Sequence, residues 1–317
     1  MLKENDSALF VKIRNLWRNR FADKLMPEKR SAVVAVEAFP ALCFRHDMDS
    51  CNRDDLLHFI EQEQEFSVPS TCFFLRYQVK EAPDLLAELS ASGHEIGLHS
   101  EARPFWNTSL VQLLWFVEIG YRRKLRRQVN WLRRRGFDPQ GHSPHSINNY
   151  LGFQNWINWN VIEQATIGSG MKYISDWRII ASTPEGAPDF PEPLPPFYRV
   201  LNLRKILVIP TSWDDKFFFS SYEDRFIRKN TNSAYKGRSL KEALDNIAFQ
   251  LGLCIKAGIP FVVNLHPYNG LRGKVEFGEL KTQLIEMAKD RKIPVLALND
   301  LAERLALKNR EVSPENR

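Results

Sequence analysis

The stretch Phe44-Arg45-His46-Asp47-Met48-Asp49-Ser50 ends an apolar run with two carboxylates and an imidazole. The residues before it, 33–36 and 41–44, are apolar enough for a buried β-strand. Residues two apart in a strand project from the same face, so Asp47 and Asp49 can converge on one point. Acids at the carboxyl end of a strand are what a barrel or an open α/β sheet presents to a ligand. A strand-end turn with solvated acids is the alternative interpretation.

Apolar strand patterns and amphipathic helix patterns alternate along the rest of the chain. The predicted strands after the first are residues 71–75, 95–98, 171–175, 204–209, 260–265 and 294–298. The predicted helices include residues 54–65, 81–92, 109–135, 156–166 and 239–257. Seven or eight strands, each followed by a helix or a loop, predict one barrel-like α/β domain over residues 31–307.

Two segments fall outside this alternation. Residues 184–196 hold six prolines, which exclude a helix or a central strand and indicate a loop over the barrel mouth rather than a domain linker. Residues 308–317 are polar and are interpreted as a terminal tail.

Composition limits the class of protein. The 317 residues carry a net charge of +6 and are 44% hydrophobic, which is ordinary for a globular chain. Cys43 and Cys72 lie inside apolar runs, and none of the four cysteines forms a CxxC pair, so we expect buried free thiols in a reducing compartment. With neither a secretory signal nor an apolar run long enough to cross a bilayer, the sequence predicts a soluble cytoplasmic protein.

Two basic segments point toward an anionic surface. Residues 8–25 form an amphipathic basic pattern within the N-terminal segment 1–30, interpreted either as a membrane-surface anchor or as a helix packed on the barrel. Eight Lys and Arg residues lie between Arg122 and Arg135, on the outer face of a predicted helix. The aromatic platform of a nucleic-acid site does not accompany them, so we expect no nucleic-acid partner. Reversible contact with the cytoplasmic membrane face fits this charge better.

Further polar side chains follow the predicted strands. They are His99, His142, His145, Asp176, Asp214, Asp215 and His266. The strand ends of a barrel face one mouth, so these groups can meet although they are far apart in sequence. Carboxylate and imidazole are ligands for zinc or a similar divalent ion, and a spare carboxylate and histidine could move protons beside it.

Four stretches resemble the motif series of the polysaccharide deacetylases, the NodB-homology enzymes of carbohydrate esterase family four. They are residues 44–49 (Phe-Arg-His-Asp-Met-Asp), 93–99 (Gly-His-Glu-Ile-Gly-Leu-His), 176–177 (Asp-Trp) and 264–267 (Asn-Leu-His-Pro). The second stretch is the most specific, and the first is similar to a divergent RHDxD branch. The resemblance extends over roughly residues 40–302 and implies a distorted (β/α) barrel that deacetylates N-acetylated sugars with the help of a metal.

The resemblance also implies roles for individual residues. Asp47 matches the family's catalytic base, and Asp49 matches the metal-binding acid that follows it. His99 matches a metal-binding histidine of the second motif. His266 matches the histidine that acts as general acid.

The chain departs from the family pattern at Arg103, where the family usually has a second metal-binding histidine. The third ligand must then come from elsewhere, and we expect His145, with His142 as the alternative. The arginine that orients the family's catalytic base has no clear counterpart either, and Arg103 could take that role.

These observations predict a zinc-type hydrolase that removes an acetyl group from an N-acetylated sugar of a glycan or glycan precursor. Trp177, Trp213 and Asp214 are the predicted substrate contacts, although the two tryptophans could equally fill the core. A catalytically inactive carbohydrate-binding barrel and a metal-dependent amidohydrolase acting on a non-sugar amide are the alternatives.

Overall fold

A computed structural model describes eight ranges of the chain, and its ten strands form one sheet. The ranges are residues 31–48, 51–100, 110–144, 162–176, 194–201, 204–215, 240–267 and 277–311. The strands are β1 (Ser31–Ala35), β2 (Leu42–Asp47), β3 (Thr71–Phe74), β4 (Glu95–Ser100), β5 (Gly141–Pro144), β6 (Tyr173–Asp176), β7 (Phe197–Leu201), β8 (Arg204–Pro210), β9 (Trp213–Asp214) and β10 (Phe261–Leu265). The helices are α1 (Arg53–Phe66), α2 (Arg76–Glu81), α3 (Pro83–Ala91), α4 (Leu110–Arg133), α5 (Leu240–Ala257), α6 (Phe277–Asp290) and α7 (Leu298–Glu311), and residues 162–168 are also helical.

The sheet order is β1-β7-β8-β6-β5-β4-β3-β2-β10-β9. Strand β7 pairs antiparallel with both β1 and β8, and the remaining pairs are parallel. The sheet curls into a half-barrel, which confirms the predicted α/β barrel class. Because parallel strands end at one edge, the carboxyl ends of β2, β4, β5, β6 and β10 share the barrel mouth.

The first predicted strand is too long, because it includes residues that belong to another strand. Residues 33–36 do not continue into β2: most of them belong to β1, where Val33 is 60% and Val34 47% exposed. Strand β1 pairs with β7, which was not predicted at all. Pro40 lies between the two segments, and apolar content alone does not reveal which partner a strand will take.

The last predicted strand, residues 294–298, is wrong as a strand. Only Leu42 and Val295 form a bridge there, and α7 already begins at Leu298. Strand β3 pairs with β2 only at residues 45–47 of β2. The earlier part of β2, at Leu42, can therefore form the bridge to Val295. Helix α7 then runs past residue 307 to Glu311, and Lys308 donates to the carbonyl of Ala38 at 3.1 Å.

Three apolar clusters hold the layers together. One lies between β2, β10 and the helices α5 and α6, around Phe44 and Leu284. A second joins the outer face of β3 and β4 to α1, α3 and α4, and the third packs the barrel interior against α7. All four cysteines are buried and none of them forms a disulfide, as expected for Cys43 and Cys72.

Two glycines make room for aromatic rings inside the barrel. A Cβ at Gly97 would lie 2.4 Å from the Phe73 ring, and one at Gly141 would lie 2.1 Å from the Tyr173 ring. The Tyr173 hydroxyl donates to Glu95 at 2.8 Å. Burial raises the pKa of Glu95 to about 7, although this hydrogen bond opposes the shift. Small residues at these two positions therefore let a filled barrel form beneath the mouth.

The long basic helix is confirmed as α4. Tyr121, Leu125, Val129 and Leu132 form its buried stripe, and Gly136 ends it with a φ of +85°. No helix within the described ranges combines the length and hydropathy needed to cross a lipid bilayer. The predicted N-terminal helix, residues 8–25, lies outside the described residues.

A buried ionic cluster fastens the outer face of β2 to α1 and α6. The ammonium of Lys281 donates to both carboxylate oxygens of Glu63, at 2.6 and 2.5 Å. Ser70 donates to Glu63 at 2.9 Å and contacts His94 at 2.8 Å. His46 Nε2 lies 3.7 Å from Glu63, in a fully buried position. The outer face of β2, the strand that carries Asp47, is thus held by charged groups that must stay paired.

Acid should weaken this cluster. Burial lowers the pKa of His46 to about 4. Burial is the largest influence and raises the pKa of Glu63, but the charge and hydrogen bond of Lys281 together with His46 and His94 outweigh it, and the net value falls to about 2. In the unfolded chain the pKa of a histidine is about 6.5, so the unfolded state takes up a proton before the folded state does as the pH falls. The free energy of unfolding should therefore fall by about 3 kcal/mol between pH 6.5 and pH 4. The carboxylate contribution of Glu63 is lost below pH 4.5.

Urea unfolding at pH 7 and pH 4 measures this effect. We expect His46→Phe to lose clearly less stability between these two pH values than the wild type. His58, on α1, is the matched control, because its side chain is 57% exposed and His58→Phe should keep the wild-type pH dependence. Equal pH dependence in His46→Phe and wild type would contradict the assignment of the titration to His46.

Candidate active site

A belt of buried polar side chains lines the inner face of the half-barrel at its mouth. Its described members are Arg45, Asp47, His99, Ser143, Ser175, Thr211, Asp214, Asp215, Asn264 and His266. The sheet register brings many of them together, since it aligns Asn264 with Arg45 and with Asp214, and His99 with Ser143. Alternation along the strands points the members that lie in strands to one side, and Thr211, Asp215 and His266 join them from just outside the strands.

Asp47 lies at the centre of this belt, with a different set of neighbours at each carboxylate oxygen. Oδ1 accepts from Arg45 Nη2 at 2.5 Å and from Ser143 Oγ at 2.9 Å. Oδ2 accepts from Asn264 Nδ2 at 3.4 Å and lies 3.8 Å from His266 Nε2. Donors to the charged form and a paired guanidinium both favour an ionised carboxylate.

Arg45 is the arginine that pairs with Asp47, and sequence reasoning assigned it no role. It is fully buried and donates to Ser143 at 2.8 Å, to Ser175 at 2.9 Å and to Thr211 at 3.0 Å. It precedes Asp47 by two residues in the same strand, so the alternation that joined Asp47 to Asp49 could have revealed it. Arg103, the expected substitute, lies outside the described residues.

His266 is oriented by Asp215. The imidazole Nδ1 lies 2.5 Å from Asp215 Oδ1, and the His266 backbone N–H donates to Oδ2 at 2.9 Å. A carboxylate only accepts, so Nδ1 carries the hydrogen and Nε2 faces Asp47. This pair holds His266 in the orientation that a proton-transferring histidine needs.

His99 has the tautomer of a metal ligand. Its Nδ1 lies 2.9 Å from the carbonyl oxygen of Ser143. Because a carbonyl can only accept, Nδ1 carries the hydrogen and Nε2 keeps its lone pair. A backbone partner of this kind commonly fixes a metal-binding histidine. Nδ1 is also 3.8 Å from Asp47 Oδ1, so His99 lies beside the proposed base.

His142 does not join the belt. It neighbours Ser143 in β5 and therefore projects from the opposite face. There its Nδ1 lies 2.7 Å from Thr166 Oγ1, whose hydroxyl donates to the carbonyl of Ile162. Burial, with a smaller effect of His99, lowers the pKa of His142 to about 3, so it stays neutral. The alternative third ligand is thus placed outside the mouth.

Trp213 corrects another expectation. Its side chain is fully buried in the apolar cluster that includes Phe44 and Leu265. It therefore fills the core and offers no face to a sugar ring. Strand alternation explains the difference, because the next residue, Asp214, accepts from Asn264 at 2.7 Å inside the belt.

Three predicted site residues lie outside the described ranges: Asp49, His145 and Trp177. The described residues on either side of residues 49–50 make contacts of their own. Gln78 Nε2 donates to the carbonyls of Met48 at 2.5 Å and Cys51 at 3.0 Å. A capping box at the start of α1 follows, in which Asn52 accepts from the Asp55 N–H at 2.9 Å.

Asp214, Asp215 and His266 form a group that could hold a metal, among the residues described. One potential ligand atom from each lies within 4.8 Å of the others. Both oxygens of Asp215 already accept hydrogen bonds from His266, so this group also works as an acid-positioning pair. An acidic and imidazole site of the kind that divalent ions prefer is therefore present at the mouth.

The half-barrel with this polar mouth is an α/β fold, and part of it matches a known protein family. Residues 41–135 match the family model described as Polysaccharide deacetylase. This match confirms the resemblance carried by residues 44–49 and 93–99. No curated protein sequence matches the chain.

Solved structures share the fold. One, described as a polysaccharide deacetylase from Mycobacterium smegmatis, is 18% identical, has a TM-score of 0.59, and covers 88% of this chain and 93% of that one. A second, from Pseudomonas aeruginosa PAO1 and described in the same terms, is 16% identical with a TM-score of 0.52 and covers 84% and 91%. The allantoinase PuuE is 18% identical with a TM-score of 0.51 and covers 84% and 90%. At these identities the likeness concerns the fold.

Proposed function

We propose that this protein is a metal-dependent deacetylase that removes the acetyl group from an N-acetylated sugar of a glycan or glycan precursor. The observation that carries the proposal is the pairing of Asp47 with His266. The two side chains face each other at 3.8 Å, and each is held by its own charged partner, Arg45 and Asp215. A base and an acid held side by side at the mouth suit the hydrolysis of an amide.

The chain's own groups account for the proton transfers. Asp47, kept ionised by Arg45, takes a proton from a water molecule whose oxygen bonds to the amide carbon. His266 Nε2, once protonated, gives its proton to the departing nitrogen as the carbon–nitrogen bond breaks. The products are acetate and the free amine. Asp215 stabilises the imidazolium form of His266 during this cycle.

A divalent metal, which we take to be zinc, would be held by His99 together with Asp49 and His145. The described part of this set fits, because His99 presents Nε2 as a lone-pair nitrogen. When bound, the metal would polarise the amide carbonyl as a Lewis acid.

Metal content measures this assignment directly. Inductively coupled plasma mass spectrometry of the purified protein should find about one divalent ion per chain. His99→Ala and His145→Ala should contain clearly less metal, because each substitution removes one of only three proposed protein ligands. His142→Ala is the matched control, since His142 projects from the opposite face of β5. Unchanged metal content in a folded His99→Ala variant would overturn the ligand set.

We propose two substrate contacts at the mouth. Trp177 follows β6, whose carboxyl end lies at the mouth, and we assign it as an apolar face for the sugar ring. Asp214 is 6% exposed and lies 3.8 Å from His266 Nδ1, so it could meet a sugar hydroxyl close to the acid.

Acetate release from a substrate panel tests the function. The panel contains N-acetylglucosamine oligomers, peptidoglycan fragments and non-sugar amides, and Asp47→Asn supplies the background rate. Release from the sugars supports the proposal. Release from the non-sugar amides alone would instead favour the amidohydrolase alternative, and binding without release would favour the inactive carbohydrate-binding barrel.

We also propose reversible contact with the cytoplasmic membrane face. The basic outer face of α4 is exposed, for example at Arg123 and Arg127, and residues 8–25 add a second basic segment. Each Lys or Arg near an anionic lipid surface contributes about 1 kcal/mol. Sedimentation with anionic vesicles at low and high salt tests this contact, and the absence of binding at low salt would exclude it.

A further inference from the structure

Asn264 is a neutral side chain among the charged groups of the mouth. It lies in β10 two residues before His266 and projects from the same face. Its backbone aligns with Arg45 on one side and Asp214 on the other. The side chain is 1% exposed, so its polar atoms depend on protein partners.

The side-chain nitrogen of Asn264 touches the acid, the base and a second carboxylate. Nδ2 lies 2.7 Å from Asp214 Oδ2, 3.4 Å from Asp47 Oδ2 and 3.5 Å from His266 Nε2. All three neighbours are acceptors, since the His266 hydrogen is on Nδ1 toward Asp215. The amide must therefore present its NH₂ group here, because its oxygen would face two carboxylates.

The two acids need such a donor. Asp47 and Asp214 both contact Asn264, and two carboxylates that share a neighbour repel each other unless hydrogen-bond donors or cations separate them. Arg45 occupies Oδ1 of Asp47, which leaves Oδ2 to face His266 and Asn264. A neutral group with two N–H bonds can hold both acids and add no charge of its own.

We propose that Asn264 is a positioning residue: its amide fastens Asp47 Oδ2 and Asp214, and so fixes the base opposite the acid His266. The inference rests on the proposed function for its catalytic meaning. It goes beyond that function by assigning the geometry of the reaction to Asn264, which takes no part in the proposed proton transfers.

Two substitutions separate hydrogen bonding from shape. Asn264→Asp keeps the shape but replaces the donor with a third carboxylate, whereas Asn264→Leu keeps the approximate volume and removes both donors. We expect kcat to fall about 10-fold in Asn264→Leu and about 100-fold in Asn264→Asp, with KM within about 3-fold of wild type. A residue that only fills space would give the opposite order, with Asn264→Asp close to wild type.

Two controls keep the test specific. Asn130 is exposed on α4, far from the mouth, and Asn130→Asp should leave kcat unchanged. The exchange variant Asn264→Asp with Asp214→Asn restores one amide–carboxylate hydrogen bond with donor and acceptor reversed. Its urea midpoint should recover most of the loss seen in Asn264→Asp alone, whether or not it is active.

The outcomes are distinguishable. Lower kcat in the stated order together with recovery of the midpoint in the exchange variant supports the proposal. Unchanged kcat in both single variants overturns the positioning role. No recovery in the exchange variant overturns the contact itself. A wild-type protein inactive on the whole panel overturns the proposed function and the catalytic part of this inference, while the exchange variant still decides the contact.

Discussion

Asp47→Asn is expected to lower kcat by about 10³-fold, with KM and metal content close to wild type. The neutral amide cannot take a proton from water, yet its oxygen can still accept from Arg45 and Ser143 where Oδ1 does now. The hydrogen bonds at the Oδ1 position should therefore persist while the base is lost. Acetate release from an N-acetylglucosamine oligomer, with metal analysis of the same sample, measures both effects.

A matched pair elsewhere in the chain supplies the control. Asp84 also pairs with an arginine, Arg53, but both side chains are at least half exposed. Asp84→Asn should leave kcat unchanged. Retention of more than about a tenth of kcat in Asp47→Asn would contradict the role of base. Loss of metal in Asp47→Asn as large as in Asp49→Asn would contradict the separate roles of the two acids.

Arg45→Met is expected to reduce both stability and activity. Removing one partner of a buried ion pair leaves an uncompensated charge on Asp47, which costs about 3–5 kcal/mol. The hydroxyls of Ser143, Ser175 and Thr211 also lose their donor. Since the carboxylate is no longer held, kcat should fall as well, by about 10²-fold. Urea unfolding and acetate release measure the two effects.

Arg45→Lys and Arg53→Met make this prediction specific. The lysine variant keeps the charge but lacks the planar fork of donors, so we expect it to recover part of the stability and less of the activity. Arg53→Met removes an arginine from an exposed pair and should change stability little. If Arg45→Met and Arg53→Met had the same free energy of unfolding, the predicted contribution of the buried Arg45–Asp47 pair to stability would be contradicted.

Much of the fold was accessible from the sequence because strand and helix periods are local properties. The run before Asp47 and the stretch that ends in His99 both predicted buried strands, and β2 and β4 are completely buried. The buried stripe of α4 followed from its spacing in the same way. Strand pairing is not local, and for this reason β1 and β7 were misread or missed.

The chemistry expected at the mouth could be predicted from the sequence alone. Asp47, His99 and His266 end apolar strands, and the parallel arrangement that these strands predict brings their ends to one edge. The motif resemblance then assigned roles to the same residues. These conclusions needed residue type, spacing and chain order alone.

The contacts that hold those residues could not be predicted without the tertiary structure. Arg45 reaches Ser143, Ser175 and Thr211, which are 98, 130 and 166 residues away in sequence. His142 and Ser143 are neighbours in sequence, yet the register of β5 sends one outward to Thr166 and the other inward to Asp47. The physical reason is that a side chain's face depends on strand register, and register depends on pairing with distant strands.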